Sequence, residues 1–150
     1  MILDKRTEFA TAEDVSAATG TANTTSQIDM SVARDLGNGQ PIYFYVVVTT
    51  DFTTGTTAEA AFQLASDAGA AIDTGGAQTI HYTSRAFDTG ELVAGAIPVF
   101  VEVPLENLDA YEEFLGCQVV TTSATTTAGA VTAGLTLDKH GWKSYPDASN

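Results

Sequence analysis

Between Pro41 and Thr50 the chain reads P-I-Y-F-Y-V-V-V-T-T, an unbroken run of aromatic and β-branched residues. Side chains of that kind are stiff at χ1 and fit a pleated, buried surface, so the run predicts a central strand covered on both faces. Turn residues bound it: Gly37-Asn38-Gly39 before, Asp51 and Thr53-Thr54-Gly55 after. Pro41 is tolerated at the first position of such a strand. Gln27 to Val32 alternates, with Ile28, Met30 and Val32 on one face, which predicts a half-buried antiparallel strand. Ala58 to Ser66 predicts another, with Ala60, Phe62 and Leu64 on one face, and Thr79 to Phe87 a further one. Leu92-Val93 predicts a brief strand after the Asp88-Thr89-Gly90 turn.

In Ile97 to Val103 the odd positions are apolar, and Pro98 and Pro104 block ladder hydrogen bonds, so an edge strand or one that ends sharply is expected. Leu105 to Glu113 has the spacing of a single short helix or turn. Phe114 to Thr122 and Ala130 to Asp138 read as a hairpin whose flexible tip is the Thr/Ser/Ala/Gly stretch 123–129. Ser66 to Gln78, rich in Gly, Asp and Ala, reads as a long surface loop. At the N-terminus, Thr11 to Ala18 predicts one helical turn or irregular chain, and Thr19 to Ser26 a loop. The pattern divides the chain into an N-terminal arm or edge segment (1–26), a jelly-roll domain (27–138) and a C-terminal tail (139–150). The expected fold is all-β: an antiparallel β-sandwich or jelly roll of about eight short strands with at most one short helix.

Charge narrows the partners. The 150 residues carry 19 Asp plus Glu against 6 Lys plus Arg, a formal net charge of −13. Such a surface repels phosphates, so no nucleic acid partner is expected. The first residues form no signal-peptide core, and the longest apolar run, Ile42 to Val48, is too short for a bilayer, so no membrane partner is expected either. Cys117 is the one cysteine; within F-L-G-C-Q-V-V it reads as a small buried thiol rather than a nucleophile.

The chemical motifs are sparse. Asp73-Thr74-Gly75 and Asp88-Thr89-Gly90 repeat the triplet in which aspartic proteases hold their paired carboxylates. Both lie in Gly-rich loops, where Asp and Gly are ordinary turn residues. His81 and His140 are too few for a three-histidine zinc site, and no H-E-x-x-H or C-x-x-C is present. Spacing leaves a Ser-His-Asp set open, although there is no G-x-S-x-G elbow. Asp67, Asp73 and Glu59 are weak calcium candidates without a D-x-D-x-D-G pattern. Asn23-Thr24-Thr25 matches a glycosylation acceptor, but with no secretion signal. We therefore expect no catalytic residues, no metal and no cofactor, in a protein that sits between other proteins.

The opening M-I-L-D-K, then Phe9 and an Ala/Thr-rich stretch ending at Ile28-Asp29, resembles the capsid cement proteins of tailed bacteriophages. A-R-D-L-G-N-G (33–39), which leads into the Val-rich strand, and T-A-G-A-V-T-A-G-L-T-L-D (127–138) continue the resemblance; residues 66–104 and the tail fit it less well. The resemblance implies a jelly roll without catalysis, made in the bacterial host cytoplasm and carried on the outer surface of an icosahedral head. It also implies a homodimer or homotrimer that bridges adjacent major capsid proteins. Repetition over many identical sites multiplies modest contacts. Ile2, Leu3 and Phe9 in the arm, and Trp142 and Tyr145 in the tail, are the candidate partner contacts. The arm has an equal alternative, packing on its own sheet edge. The other functional class is a surface jelly roll that binds carbohydrate or a host receptor, with Tyr82, Phe100 and Trp142 as its aromatic platforms.

Overall fold

The computed structural model describes residues 5–31, 40–54, 57–103 and 110–137. A 3-10 turn, Lys5–Thr7, leads into β1 (Glu8–Asp14) and β2 (Gly20–Asp29). There follow β3 (Tyr43–Thr54), β4 (Glu59–Asp67), β5 (Thr79–Thr83) and β6 (Phe87–Asp88). A second 3-10 turn, Thr89–Glu91, precedes β7 (Val99–Glu102), β8 (Phe114–Thr122) and β9 (Thr126–Thr136). The first sheet runs β1-β9-β3-β7 and the second β2-β8-β4-β5, with β6 also on β4. Every pairing is antiparallel, and the sheets pack face to face as a jelly-roll-like sandwich. The fold class is the one expected, and the described residues contain no α-helix. Much of the helix expected at Leu105 to Glu113 falls outside them.

The run Pro41 to Thr50 does supply an inner strand, β3, between β9 and β7. Its core-facing side chains, Phe44, Val46 and Val48, are at most 1% exposed. Its other face departs from expectation: Val47 is only half-buried, and Thr49 to Asp51 are exposed. The first sheet therefore buries one face fully and the other only in places. The core is completed by Ala60, Phe62 and Leu64 of β4, Leu115, Cys117 and Val119 of β8, and Val131, Ala133 and Leu135 of β9. Phenylalanine rings link the layers, with Phe52 edge-on to Phe62 at 6.4 Å and Phe9 tilted on Phe44 at 6.1 Å. Such geometry suits rings that carry a quadrupole.

Three expectations are corrected. First, β8 and β9 are not a hairpin, because β8 pairs with β2 and β4 in the second sheet and β9 with β1 and β3 in the first. Residues 123–125 cross between sheets. Second, the stretch expected to be a helical turn and loop is strand. β1 is the edge of the first sheet and β2 the edge of the second. Their polar, Thr-rich composition suits edges, where one side of the strand meets solvent. β1 is kinked, with register shifts at Glu8/Ala10 and Ala10/Glu13 and a positive φ of 46° at Ala12. Glu13 then reaches across to accept the backbone N–H of Thr25 at 2.9 Å, blunting the free edge of β2. Third, the strand expected over Thr79 to Phe87 breaks between β5 and β6. Leu92 is not in a strand but inserts into the core after the 3-10 turn. β7 is an edge strand, as its prolines foretold.

Candidate interaction surface

Among the described residues, the groups singled out for reactive potential are buried or hydrogen-bonded. Ser66 and His81 meet at 2.6 Å, Oγ to Nε2, the one arrangement here that resembles half of a hydrolytic triad. Ser66, however, is 0% exposed. Its hydroxyl oxygen also accepts the backbone N–H of Glu112 at 3.1 Å, while the His81 ring stacks on Tyr111 at 3.8 Å. Thr79 Oγ1 donates to Glu112 Oε1 at 2.6 Å and completes the cluster. A nucleophile must reach its substrate; this one is walled in, and the cluster ties residues 111–113 to the end of β4. Cys117 is the buried thiol expected, and burial with Glu13 nearby pushes its pKa up, away from the reactive thiolate.

The acidic triplets are turns. Asp73 Oδ2 accepts the backbone N–H groups of Gly75 and Ala77, each at 2.8 Å. Asp67 accepts those of Gly69 and Asp73, and these bonds hold its carboxyl below the usual range. Asp88 is the N-cap of the turn Thr89–Glu91, beside the Arg85–Glu91 ion pair, whose closest approach is 2.6 Å. Among the described residues no three His, Cys, Asp or Glu side chains gather as a metal site, and no helix is long and apolar enough to cross a membrane.

What the topology does create is two unlike ends. At one end 15–19 joins β1 to β2 and 123–125 joins β8 to β9, and the longer connection 89–98 sets out from β6 towards β7. Thr126 and Ala17 lock these turns together, Thr126 N–H donating to Ala17 O at 3.0 Å and Ala17 N–H to Thr126 Oγ1 at 2.9 Å. At the other end β2 and β7 finish, β3 and β8 start, and the loop 68–78 joins β4 to β5. β1 also starts, and β9 also finishes, at that end. Thr7 Oγ1 donates to Leu135 O at 2.9 Å, and Glu8 stands opposite Gly134. The chain thus enters the sandwich beside the place where it leaves.

Ile2 and Leu3 precede Lys5, and Trp142 and Tyr145 follow Leu137; all four lie outside the described residues. Phe9 takes the second of its two alternatives. It is 0% exposed, against Phe44 in its own core, and is not a surface contact. Of the aromatic platforms, Tyr82 turns edge-on to Phe44 at 6.1 Å, with its ring packed against the core. Phe100 is half-buried and stacked on Tyr43 at 5.2 Å, and Trp142 lies outside the described residues.

Two features escaped the sequence reading. On the outer face of the second sheet, Ile72 seats over Gly116, where an added Cβ would come within 2.7 Å of its Cδ1. The fully buried Gln118 amide donates to Asn23 Oδ1 at 2.8 Å and to Asp73 O at 2.9 Å, and Asn23 Nδ2 donates to Ile72 O at 2.6 Å. The loop 68–78 is therefore clamped onto that face, and Asn23, the apparent glycosylation acceptor, is committed to the clamp. On the outer face of the first sheet, Tyr45 lies across Gly134 towards Thr7 and Glu8 at 1% exposure. Burial and the Glu8 carboxylate push its pKa up to about 12. The signal for both was a glycine inside an otherwise apolar strand, which marks a close approach.

A family model, Bbp16, matches residues 10–135, and the chain belongs to the Bbp16 family, a phage-type family. No curated protein matches the chain.

Proposed function

We propose that this protein is a structural component of the virion: a capsid cement that binds the outer surface of an icosahedral phage head and bridges adjacent major capsid subunits. The observation that carries the reading is the jelly-roll-like sandwich in a chain of a phage-type family, with β1 starting and β9 finishing at the same end. A cement needs a stable body that binds neighbours on the shell, and a two-sheet sandwich supplies one. Membership in a phage-type family supports the same reading. The role is non-catalytic and needs no cofactor, which agrees with the sealed Ser66–His81 pair and with carboxylates spent on turns. The −13 charge favours a basic or neutral site on the shell and disfavours nucleic acid. Self-association as a dimer or trimer would match a symmetry axis of the head. The carbohydrate-binding alternative draws less support, since Tyr82 is turned into the core.

The test uses heads stripped of this protein. Adding the purified chain is expected to give saturable binding and greater survival of heat and osmotic shock. Absence of both would overturn the reading.

A further inference from the structure

We propose that Glu13 guards the edge of β2: its carboxylate covers a backbone donor that would otherwise pair with the β2 edge of a second copy of this chain. The inference is independent of the cement reading. β2 is 10 residues long and stands last in the second sheet, laddered to β8. A strand edge is a template for another strand, and two identical edges can meet antiparallel about a two-fold axis. The Thr-rich side chains of β2 suit such pairing rather than oppose it. What stands in the way is local.

Two irregularities, one from each sheet, meet at this edge. On β2 the register shifts between Asn23, opposite Gln118, and Gln27, opposite Gly116, so β2 carries surplus residues and bulges there. Thr24 turns inward at 2% exposure, and its Oγ1 donates to Cys117 O at 3.0 Å, which ties the bulge to the sheet. Thr25, next to it, is exposed. On β1 the register shift between Ala10 and Glu13 and the positive φ of 46° at Ala12 turn the chain just before Glu13. Non-glycine residues seldom adopt that conformation, and here the Ala12 N–H is held by Thr132 Oγ1 at 2.9 Å. The kink aims Glu13 at the bulge. Its two carboxylate oxygens accept the Thr25 N–H at 2.9 and 3.0 Å, and Oε1 also accepts the Thr25 hydroxyl. One carboxylate thus takes both donors of Thr25. An arriving strand would have to place a carbonyl where that carboxylate already sits. In an antiparallel meeting centred on Thr25 it would also bring its own Glu13 to the same place, and like charges oppose the contact.

Hydrogen exchange and sedimentation velocity test the guard together. In Glu13→Ala, exchange of the Thr25 amide is expected to rise about tenfold over wild type, with the far-UV spectrum unchanged. Sedimentation should show association beyond the wild-type state, and the associated form should gain exchange protection within residues 20–29. Glu13→Gln keeps one acceptor oxygen and drops the charge. It should move both readouts in the same direction by less, and it carries the test if Glu13→Ala does not fold. In whichever variant folds, Thr25 exchange like wild type, no added association, or added association without protection in 20–29 would each overturn the proposal.

Discussion

Each sheet has a glycine on the outer face of an inner strand, Gly116 on β8 and Gly134 on β9, and the two are filled in different ways. Over Gly116 sits Ile72, from a loop anchored at both ends and fastened by the Gln118 amide. Over Gly134 lie the Tyr45 ring and the backbone of a chain terminus. The first filling is an apolar side-chain tip backed by a satisfied polar network. The second is a tyrosine ring together with peptide backbone. A fully bonded buried network rigidifies its surroundings. The contrast teaches that a glycine on an outer face can be covered by a side chain from a loop in one sheet and by backbone of the neighbouring segment of chain in the other.

The comparison can be broken at three depths. The largest effect belongs to the layer between the glycines. Val46→Asp places an unpaired carboxylate at a 0%-exposed site and is expected to cost more than about 4 kcal/mol, leaving the chain unfolded by circular dichroism. Val47→Asp, on the half-buried outer face of the same strand, should remain folded and lose less than half as much. Equal losses would mean that the outer face of the first sheet is as closed as the core.

Next in size, Gln118→Leu leaves Asn23 Oδ1 and Asp73 O without their donor and should cost about 2 kcal/mol in urea unfolding. Hydrogen exchange should quicken in residues 68–78 and stay unchanged around Thr7. Unaltered exchange in that loop would show that Ile72 alone holds it down.

The smallest effect is at Tyr45, whose buried hydroxyl finds no hydrogen-bond partner. Tyr45→Phe should be neutral or stabilising by less than about 1 kcal/mol, because it removes an unsatisfied polar group. The pH response has a defined sign. The folded pKa is raised to about 12 from 10.0, so between those values the unfolded chain sheds a proton that the folded chain keeps. Tyr45's contribution is therefore complete below pH 10.0 and is lost as pH rises towards 12. Tyr111, also raised to about 12 by burial, adds a loss in the same window. Near-UV absorbance should show the Tyr45 signal ionising late, together with unfolding. Tyr45→Phe should retain more of its stability than wild type in that window, and identical alkaline profiles would count against the burial of this hydroxyl.

Much of this was legible in the amino-acid order, and the reasons differ from place to place. Period-2 alternation and β-branched runs found the cores of β3, β4, β8 and β9, because those strands are buried enough for burial to write itself into the sequence. Pro98 identified β7 as an edge because a residue without an N–H cannot sit inside a ladder. β1 and the first part of β2 were missed for the converse reason, while Gln27 to Asp29 of β2 did fall in a strand expected from alternation. As edges they keep polar, Thr-rich sides, and only their pairing to β9 and β8 makes them strands. Phe9 was left equally between a partner contact and its own sheet edge, and the structure shows β1 carrying it into the core.

The sequence by itself determined that the chain would bury apolar stripes between two antiparallel sheets, that its one thiol would be buried, and that its charge balance would be strongly acidic. These follow from side-chain chemistry and local spacing, which need no knowledge of neighbours. Tertiary structure alone decided that β8 and β9 part company at a tight turn, and that Ser66 meets His81 out of reach of solvent. It also decided that Ile72 covers Gly116 and that Tyr45 and the backbone at Thr7 and Glu8 cover Gly134. Each of these depends on which residues distant in sequence become adjacent, as Thr7 does to Leu135. The free energy that selects those pairings is shared over the whole core and leaves no local pattern in the chain.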